Sequence, residues 1–270
     1  AMNEPSSSTR RLRAIVSPES VRLTRQLALA GNYDQAVALT REKLQYDLPV
    51  IDVLAALVLP VLREIGELWH VNAIGHSDQA LASRVMDHVL DAVWPASSVT
   101  EARGAAVIVA APEGEQHTLG GRVATLALQA DGWSVLDLGA DVSAADVDAA
   151  IMAAADLQGI VLHGAATSCL PSALQLIDVG ARHGQPVVVA GRGFGEMGRY
   201  GVQLGASGWA ERPGLTLSAQ LLSAAPARSL PGAQQRESCA EVLRRAAAFA
   251  GGPCPFAEVM PADATGPIAP

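Results

Sequence analysis

The sequence predicts a four-helix bundle followed by a doubly wound α/β domain on five parallel strands. Two features of the pattern carry this. From about Ser17 to Ala96 apolar residues recur at spacings of three and four, the period of amphipathic helices. From Ala105 onward, short apolar runs alternate with helical stretches, the signature of strand–helix units on a parallel sheet. Composition agrees. Half of the 270 residues are hydrophobic and 17% are charged, enough for packed cores and incompatible with global disorder. Aromatic residues make up only 4%, so those cores must be aliphatic with close backbone approach.

Residues 1–16, including NEPSSST, read as a flexible N-terminus. The bundle is assigned to 17–98. SPESVRLTRQLALAG opens with Ser17 as cap and Pro18 at the first helical position, and stops at Gly31. Asn32 to Asp47 repeats the arrangement, with Ala36, Val37, Leu39 and Leu44 facing inward. LPVIDVLAALVLPVLREIGELWH places Leu54, Leu57, Val58, Val61, Leu62, Ile65, Leu68 and Trp69 on one stripe. Pro60 interrupts it and should bend the helix. A fourth helix is expected from about Ser77 to Val93, and short connections suggest an antiparallel bundle.

The second domain is assigned to 103–224. AAVIVAA, WSVLDLG, GIVLHG and PVVVAG are expected as strands covered on both faces. TLGGRVATLALQADG, SAADVDAAIMAAAD and LPSALQLIDVGARHG are the helices between them. ASGWAE and LTLSAQLLSA close a five-stranded, flavodoxin-like (Rossmann-type) sheet, which takes ligands outside the carboxyl ends of its strands. A Pro- and Gly-rich tail, 225–270, holds one further helix, RESCAEVLRRAAAFAG.

Several function classes start at a disadvantage. The formal net charge is −8 and no basic run exists beyond RRLR, so no footprint for duplex binding is present. Three cysteines without C-x-x-C spacing argue against a disulfide framework and fit a cytoplasmic location. No signal peptide and no span-length apolar stretch is visible. No nucleophile–base pair or carboxylate dyad is placed for acid–base work, so a stand-alone enzyme is not expected.

GEQHTLG, residues 114–120, follows the first strand. Glu115 and His117 are spaced so that the carboxylate can accept a hydrogen bond from one imidazole nitrogen and leave the other outward. A helix-capping histidine would satisfy the same three residues taken alone. One nitrogen is too few for free zinc, which wants three or four ligands. It suits a metal that brings its own equatorial ligands, such as the iron of haem or the cobalt of a corrinoid.

E-x-H-x-x-G after the first strand of such a sheet resembles the cobalamin-binding motif D-x-H-x-x-G, and the Glu form resembles the CarH-type photoreceptor family. The resemblance implies that His117 is the lower axial cobalt ligand, with Gln116, Thr118 and Gly120 beside it. It also implies that a displaced nucleotide tail runs past His163, Gly164, Ala165, Ala190, Gly191, Arg192 and Gly193. Small residues there (Gly121 and Ala166 among them) would leave room for it. Upstream, REIGELWHVNAIGHSDQALAS resembles the helical cap over the upper corrin face. By that resemblance Trp69 covers an adenosyl group and His70 is a possible ligand after photolysis. The likeness spans about residues 20 to 224.

This chain departs from the family pattern in places. Gln79-Ala80 stands where the family has Glu-His, which implies a roomier upper pocket. His163 replaces the usual serine, and Ala190-Gly191 the usual Gly-Gly. No winged DNA-binding domain precedes the bundle, so direct DNA binding is not expected, nor is a membrane. The stand-alone arrangement is most like the photocobilins, which bind cobalamin and a bilin together. The expected cofactors are therefore adenosylcobalamin and biliverdin, in a light sensor signalling through an oligomer (dimer or tetramer) or a downstream protein. Cys169, Cys239 and Cys254 read as ordinary cysteines rather than bilin attachment points. The alternatives are a corrinoid methyl carrier serving a methyltransferase, and a cobalamin chaperone.

Overall fold

The computed structural model describes residues 11–12, 14–46, 48–94, 105–210, 215–229, 240–242 and 244. Cys239, Cys254 and most of the expected C-terminal helix lie outside the described residues, as does the chain before Arg11. Of the segment expected to be flexible, Arg11, Leu12, Ala14 and Ile15 are helical and Val16 is buried.

The elements in order are α1 (Pro18–Leu29), α2 (Tyr33–Lys43), α3 (Val50–His70), α4 (His76–Val93), β1 (Ala106–Ala110), α5 (Leu119–Ala130), β2 (Ser134–Asp137), α6 (Ala144–Ala153), β3 (Leu157–His163), α7 (Leu170–Arg182), β4 (Val187–Ala190), α8 (Arg199–Gln203), β5 (Gly208–Ala210) and α9 (Leu215–Ser223). The chain divides into two compact units. The first comprises Ala1–Ala105, Leu119–Val135 and Arg212–Ser218. The second comprises Ala106–Thr118, Leu136–Glu211 and Ala219–Pro270.

In the first unit, α1 starts where the sequence places it. Ser17 Oγ accepts a hydrogen bond from Ser20 N at 3.3 Å, and Pro18 costs nothing because its missing N–H has no helical partner there. Leu54, Leu57, Val58, Val61 and Ile65 of α3 are buried in one core with Ala82, Val85, Met86, Val89 and Leu90 of α4. Two threonines are buried with them, and each satisfies its hydroxyl within its own helix: Thr24 Oγ1 donates to Ser20 O and Thr40 Oγ1 to Ala36 O. Helix α3 continues through Pro60 for 21 residues. Val123, Leu126 and Ala127 of α5 join the same core. Packing thus groups α5 with the bundle, where its place in the sequence groups it with the strands. Trp69 is an exception to the inward stripe: it is 47% exposed, because the stripe ends one turn before the helix does.

The sheet has the order β2-β1-β3-β4-β5, the doubly wound arrangement expected. Strands β1, β3, β4 and β5 pair in parallel, with Ala110 opposite Leu162 and His163 opposite Ala190. The carboxyl ends of β1, β3 and β4 therefore lie at one edge of the sheet. The loops 111–118, 164–169 and 191–198 all leave from that edge. Strand β3 is buried from Gly159 to His163, as its continuous apolar run predicts. Strand β2 corrects the expectation of strands covered on both faces. Ser134, Leu136 and Asp137 are exposed, since β2 is an edge strand bonded along one side only, and the buried residue of that run is Trp133, just before it.

Candidate functional site

The loop after β1 opens with a tight turn. Glu115 N donates to Pro112 O at 2.9 Å, and Gly114 takes φ +84°, the left-handed value that the third position of a type II turn requires. A side chain at Gly114 would have space, so glycine is present there for its backbone and not for room. The turn is tied from both sides: Gly114 N donates to Asp141 Oδ1 at 2.8 Å, and Asp141 N donates to Glu115 O at 3.1 Å. Its effect is to drive the Glu115 side chain inward, where it is 1% exposed.

A carboxylate offers about four acceptor sites, and Glu115 fills four. Oε1 accepts from His117 N at 3.0 Å and from the His117 ring, whose Nδ1 lies 2.5 Å away. Oε2 accepts from the successive amides of Ala165 and Ala166 at 2.7 and 3.0 Å. The first of these groups is the pairing that the E-x-H spacing predicts; the second was not legible. Burial alone would raise the Glu115 carboxyl, but the His117 and Ala166 hydrogen bonds outweigh it and hold the group at about 2. In return, the Glu115 hydrogen bond raises His117 above the usual imidazole value, against the effect of burial. Because a carboxylate only accepts, Nδ1 carries the proton of the neutral ring. Nε2 is then the lone pair of a side chain that is 54% exposed.

His163 ends β3 beneath this loop. Burial pushes it down to about 4, so the ring is neutral. Its Nδ1 is buried and has no hydrogen-bond partner among the described residues. Cys169 is fully buried nearby and its thiol is pushed up to about 12 by burial, so no thiolate is available for attachment or attack.

The remaining candidates fall into two groups. Gln116, Thr118 and Arg192 are exposed around the carboxyl ends of the strands, and Gly120 lies in the first turn of α5. Ala190 ends β4, and Gly164, Ala165, Gly191 and Gly193 lie on the facing loops after β3 and β4. The structure gives a different reason for the glycines than room for a ligand tail. A Cβ at Gly193 would lie 2.5 Å from Ala166 O, one at Gly164 would lie 2.6 Å from Cys169 Sγ, and one at Gly191 would overlap Gly164 O. The two loops touch each other there, backbone to backbone. In the first unit, Trp69 and His70 end α3 and are exposed, and Gln79 lies half-buried in the first turn of α4. Sequence reasoning missed Asp141, whose side chain meets the turn from 27 residues away, and the role of Ala165 and Ala166, because backbone donors leave no mark in side-chain identity.

Among the described residues no cluster of three or more His, Cys, Asp or Glu could hold a bare metal ion. One imidazole lone pair, with its proton side fixed by a buried carboxylate, fits a metal centre that lacks a single axial ligand.

The family model described as "B12 binding domain" matches residues 23–93. That match covers the helical bundle, and the domain that follows it has a Rossmann-like, doubly wound fold. Among solved structures, the chain is similar to the monomethylamine corrinoid protein of Methanosarcina barkeri. The two share 19% identity over 74% of this chain and 94% of that one, with a TM-score of 0.61, which speaks for the fold. Two sequence relatives are an uncharacterized 20.5 kDa protein of Rhodobacter capsulatus and monomethylamine corrinoid protein 2 of Methanosarcina acetivorans. The first is 36% identical over 90 residues, 32% of this chain and 47% of that protein. The second is 28% identical over 114 residues, 41% of this chain and 52% of that protein. The chain thus spans about half the length of the curated relatives it matches. Within the cap, α1 to α4 carry the matched region. Within the sheet domain, the Glu115–His117 pair sits at the carboxyl end of β1, where folds of this kind take their ligands. No helix among the described residues is long and apolar enough to cross a membrane.

Proposed function

We propose that the chain is a corrinoid methyl carrier: it binds a cobalamin through His117 and presents it to a methyltransferase partner. The observation that carries the reading is the Glu115–His117 pair, a half-exposed imidazole whose one free nitrogen is oriented by a buried carboxylate. The likeness to monomethylamine corrinoid proteins favours methyl transfer over other uses of the same fold. When bound, the corrinoid supplies a cobalt that takes up and passes on a methyl group. The chain supplies the lower ligand, the hydrogen bonds that orient it, and buried polar contacts. On this reading the protein is one component of a methyltransferase system and performs no turnover alone.

His163 is the polar contact in question. Its buried Nδ1 needs a partner that the described residues do not give, and a bound corrinoid would provide one. His163→Leu should therefore weaken cobalamin binding by about tenfold while changing the stability of the ligand-free protein little, because the unsatisfied buried Nδ1 it removes offsets the hydrogen bond lost to the His117 backbone. Parallel titration calorimetry and thermal unfolding check both statements.

A light-sensing role with adenosylcobalamin, and with biliverdin beside it, is the second reading. Exposed Trp69 followed by exposed His70 at the end of α3 favours it, being the pair that the photoreceptor resemblance assigns to the upper face. One experiment separates the two. The protein is loaded in the dark with adenosylcobalamin or methylcobalamin, with and without biliverdin, and its absorption spectrum is followed under green and red light and on addition of a thiol methyl acceptor with a corrinoid-dependent methyltransferase. Methyl transfer supports the carrier. A protein-specific, irreversible light conversion without transfer supports the sensor. No corrinoid binding would overturn both.

A further inference from the structure

We infer that Gly193, on the loop after β4, is a positioning residue for His117, acting through the Ala165–Ala166 turn and Glu115. The path is made of hydrogen bonds and close backbone contacts. Gly164 N donates to Ala190 O at 3.0 Å and Gly193 N donates to Gly164 O at 2.9 Å, so the loops after β3 and β4 are laced together. The turn they hold aims the amides of Ala165 and Ala166 at Glu115 Oε2. With Oε2 held on that side, Oε1 is left to face the His117 ring and amide.

Gly193 bears on this turn through its missing side chain. Its φ is not in the left-handed region, unlike that of Gly191 at +102°, so an alanine would be accepted by the backbone at 193 and rejected only by its neighbour. The nearest neighbouring atom is the Ala166 carbonyl oxygen, 2.5 Å from where the methyl would sit, with Gly164 O next at 3.0 Å. Atoms do not remain in contact below 3.0 Å, so the turn would shift by about half an ångström or more. A carbonyl of the backbone cannot swing aside as a side chain can. The displacement is passed to the two amides, and a hydrogen bond of 3.0 Å weakens steeply over such a change.

The test compares Gly193→Ala with Gly180→Ala. The second places its methyl against the Val187 side chain, in the same unit but near the C-terminal end of α7, away in the chain from the Glu115-binding turn. Backbone amide NMR of the ligand-free proteins reads the turn directly: amides donating to a carboxylate resonate downfield. The expected result is that Gly193→Ala moves the Ala165 and Ala166 amides upfield, and that Gly180→Ala leaves them in place even where it lowers the melting temperature as much. Cobalamin affinity, the arm that rests on the reading of His117 as the cobalt ligand, is expected to fall about tenfold in Gly193→Ala beyond the change seen in Gly180→Ala. Wild-type amide positions in Gly193→Ala, or equal changes in both variants, would overturn the inference. A wild-type protein that binds no cobalamin would overturn the ligand reading and leave the amide comparison standing. If Gly193→Ala fails to fold, Glu115→Gln tests the same link in reverse: the Gly193 amide must shift, and an unmoved Gly193 amide overturns the inference.

Discussion

His117→Ala is expected to bind cobalamin more than about a hundredfold less tightly than the parent chain. Removing a residue that merely orients a metal ligand costs ten- to a hundredfold, and on the proposed reading the ligand itself is removed. Whatever corrinoid still bound would show the absorption of a cobalt without imidazole below it. Because the 54% exposed ring leaves an open space when deleted, free imidazole in solution should enter and restore part of the ligated spectrum. The fold should persist, since no buried apolar group is lost. Titration of the variant by absorption, with and without imidazole, checks all three statements. A His117→Ala protein with parental affinity and spectrum would show that the nitrogen ligand lies elsewhere.

Glu115→Gln is expected to damage the ligand-free protein as well. A glutamine offers one acceptor oxygen and one donor nitrogen where four donors converge, so at least one buried N–H loses its partner and meets another donor. A buried group left unsatisfied costs about 1–3 kcal/mol, and more where the lost partner was charged. The same pair sets a pH window. The Glu115 carboxyl is depressed from 4.5 to about 2, so its contribution is present above the unfolded value and is lost as pH falls from 4.5 towards 2. That contribution is on the order of 3 kcal/mol. His117 is raised above 6.5, so its contribution is complete below 6.5 and fades as pH rises through the folded value. Ligand-free stability from this pair should therefore peak between about pH 4.5 and 6.5. Metal binding runs the opposite way, since a proton on His117 competes for the nitrogen, and should tighten as pH rises past that range. Urea unfolding across pH, with Glu115→Gln as the reference, reads the first effect. A parental acid limb in the variant would deny Glu115 this role.

How much of this the sequence discloses depends on whether the information sits in side chains or in the backbone. The helices of the bundle were legible because caps and apolar period agree: Ser17-Pro18 starts α1, and Leu54 to Ile65 mark the buried stripe. The doubly wound parallel sheet was legible from the alternation of strand and helix. The Glu115–His117 pair was legible because both partners are side chains two residues apart. The other half of the site was not. Ala165 and Ala166 act through N–H groups that any residue except proline possesses. Gly191 and Gly193 read as room for a ligand tail, and their close approach to the backbone of Gly164 and Ala166 is visible only in the distances. The exposure of β2 was missed because an edge strand and a central strand can share one apolar run. Likewise α5 is adjacent to strands in the chain and to helices in the packing, which a linear reading does not separate.

The four filled acceptor sites of Glu115 bear on how a ligand would be captured. The imidazole is already oriented before anything binds, so its arrival need not freeze a floppy loop, and the entropy of ordering has been settled during folding. Capture should then be limited by diffusion and by opening of any cover, and differences among cobalt compounds should appear mainly in how slowly they leave. A carrier built this way could be reloaded many times without its seat being rebuilt between rounds.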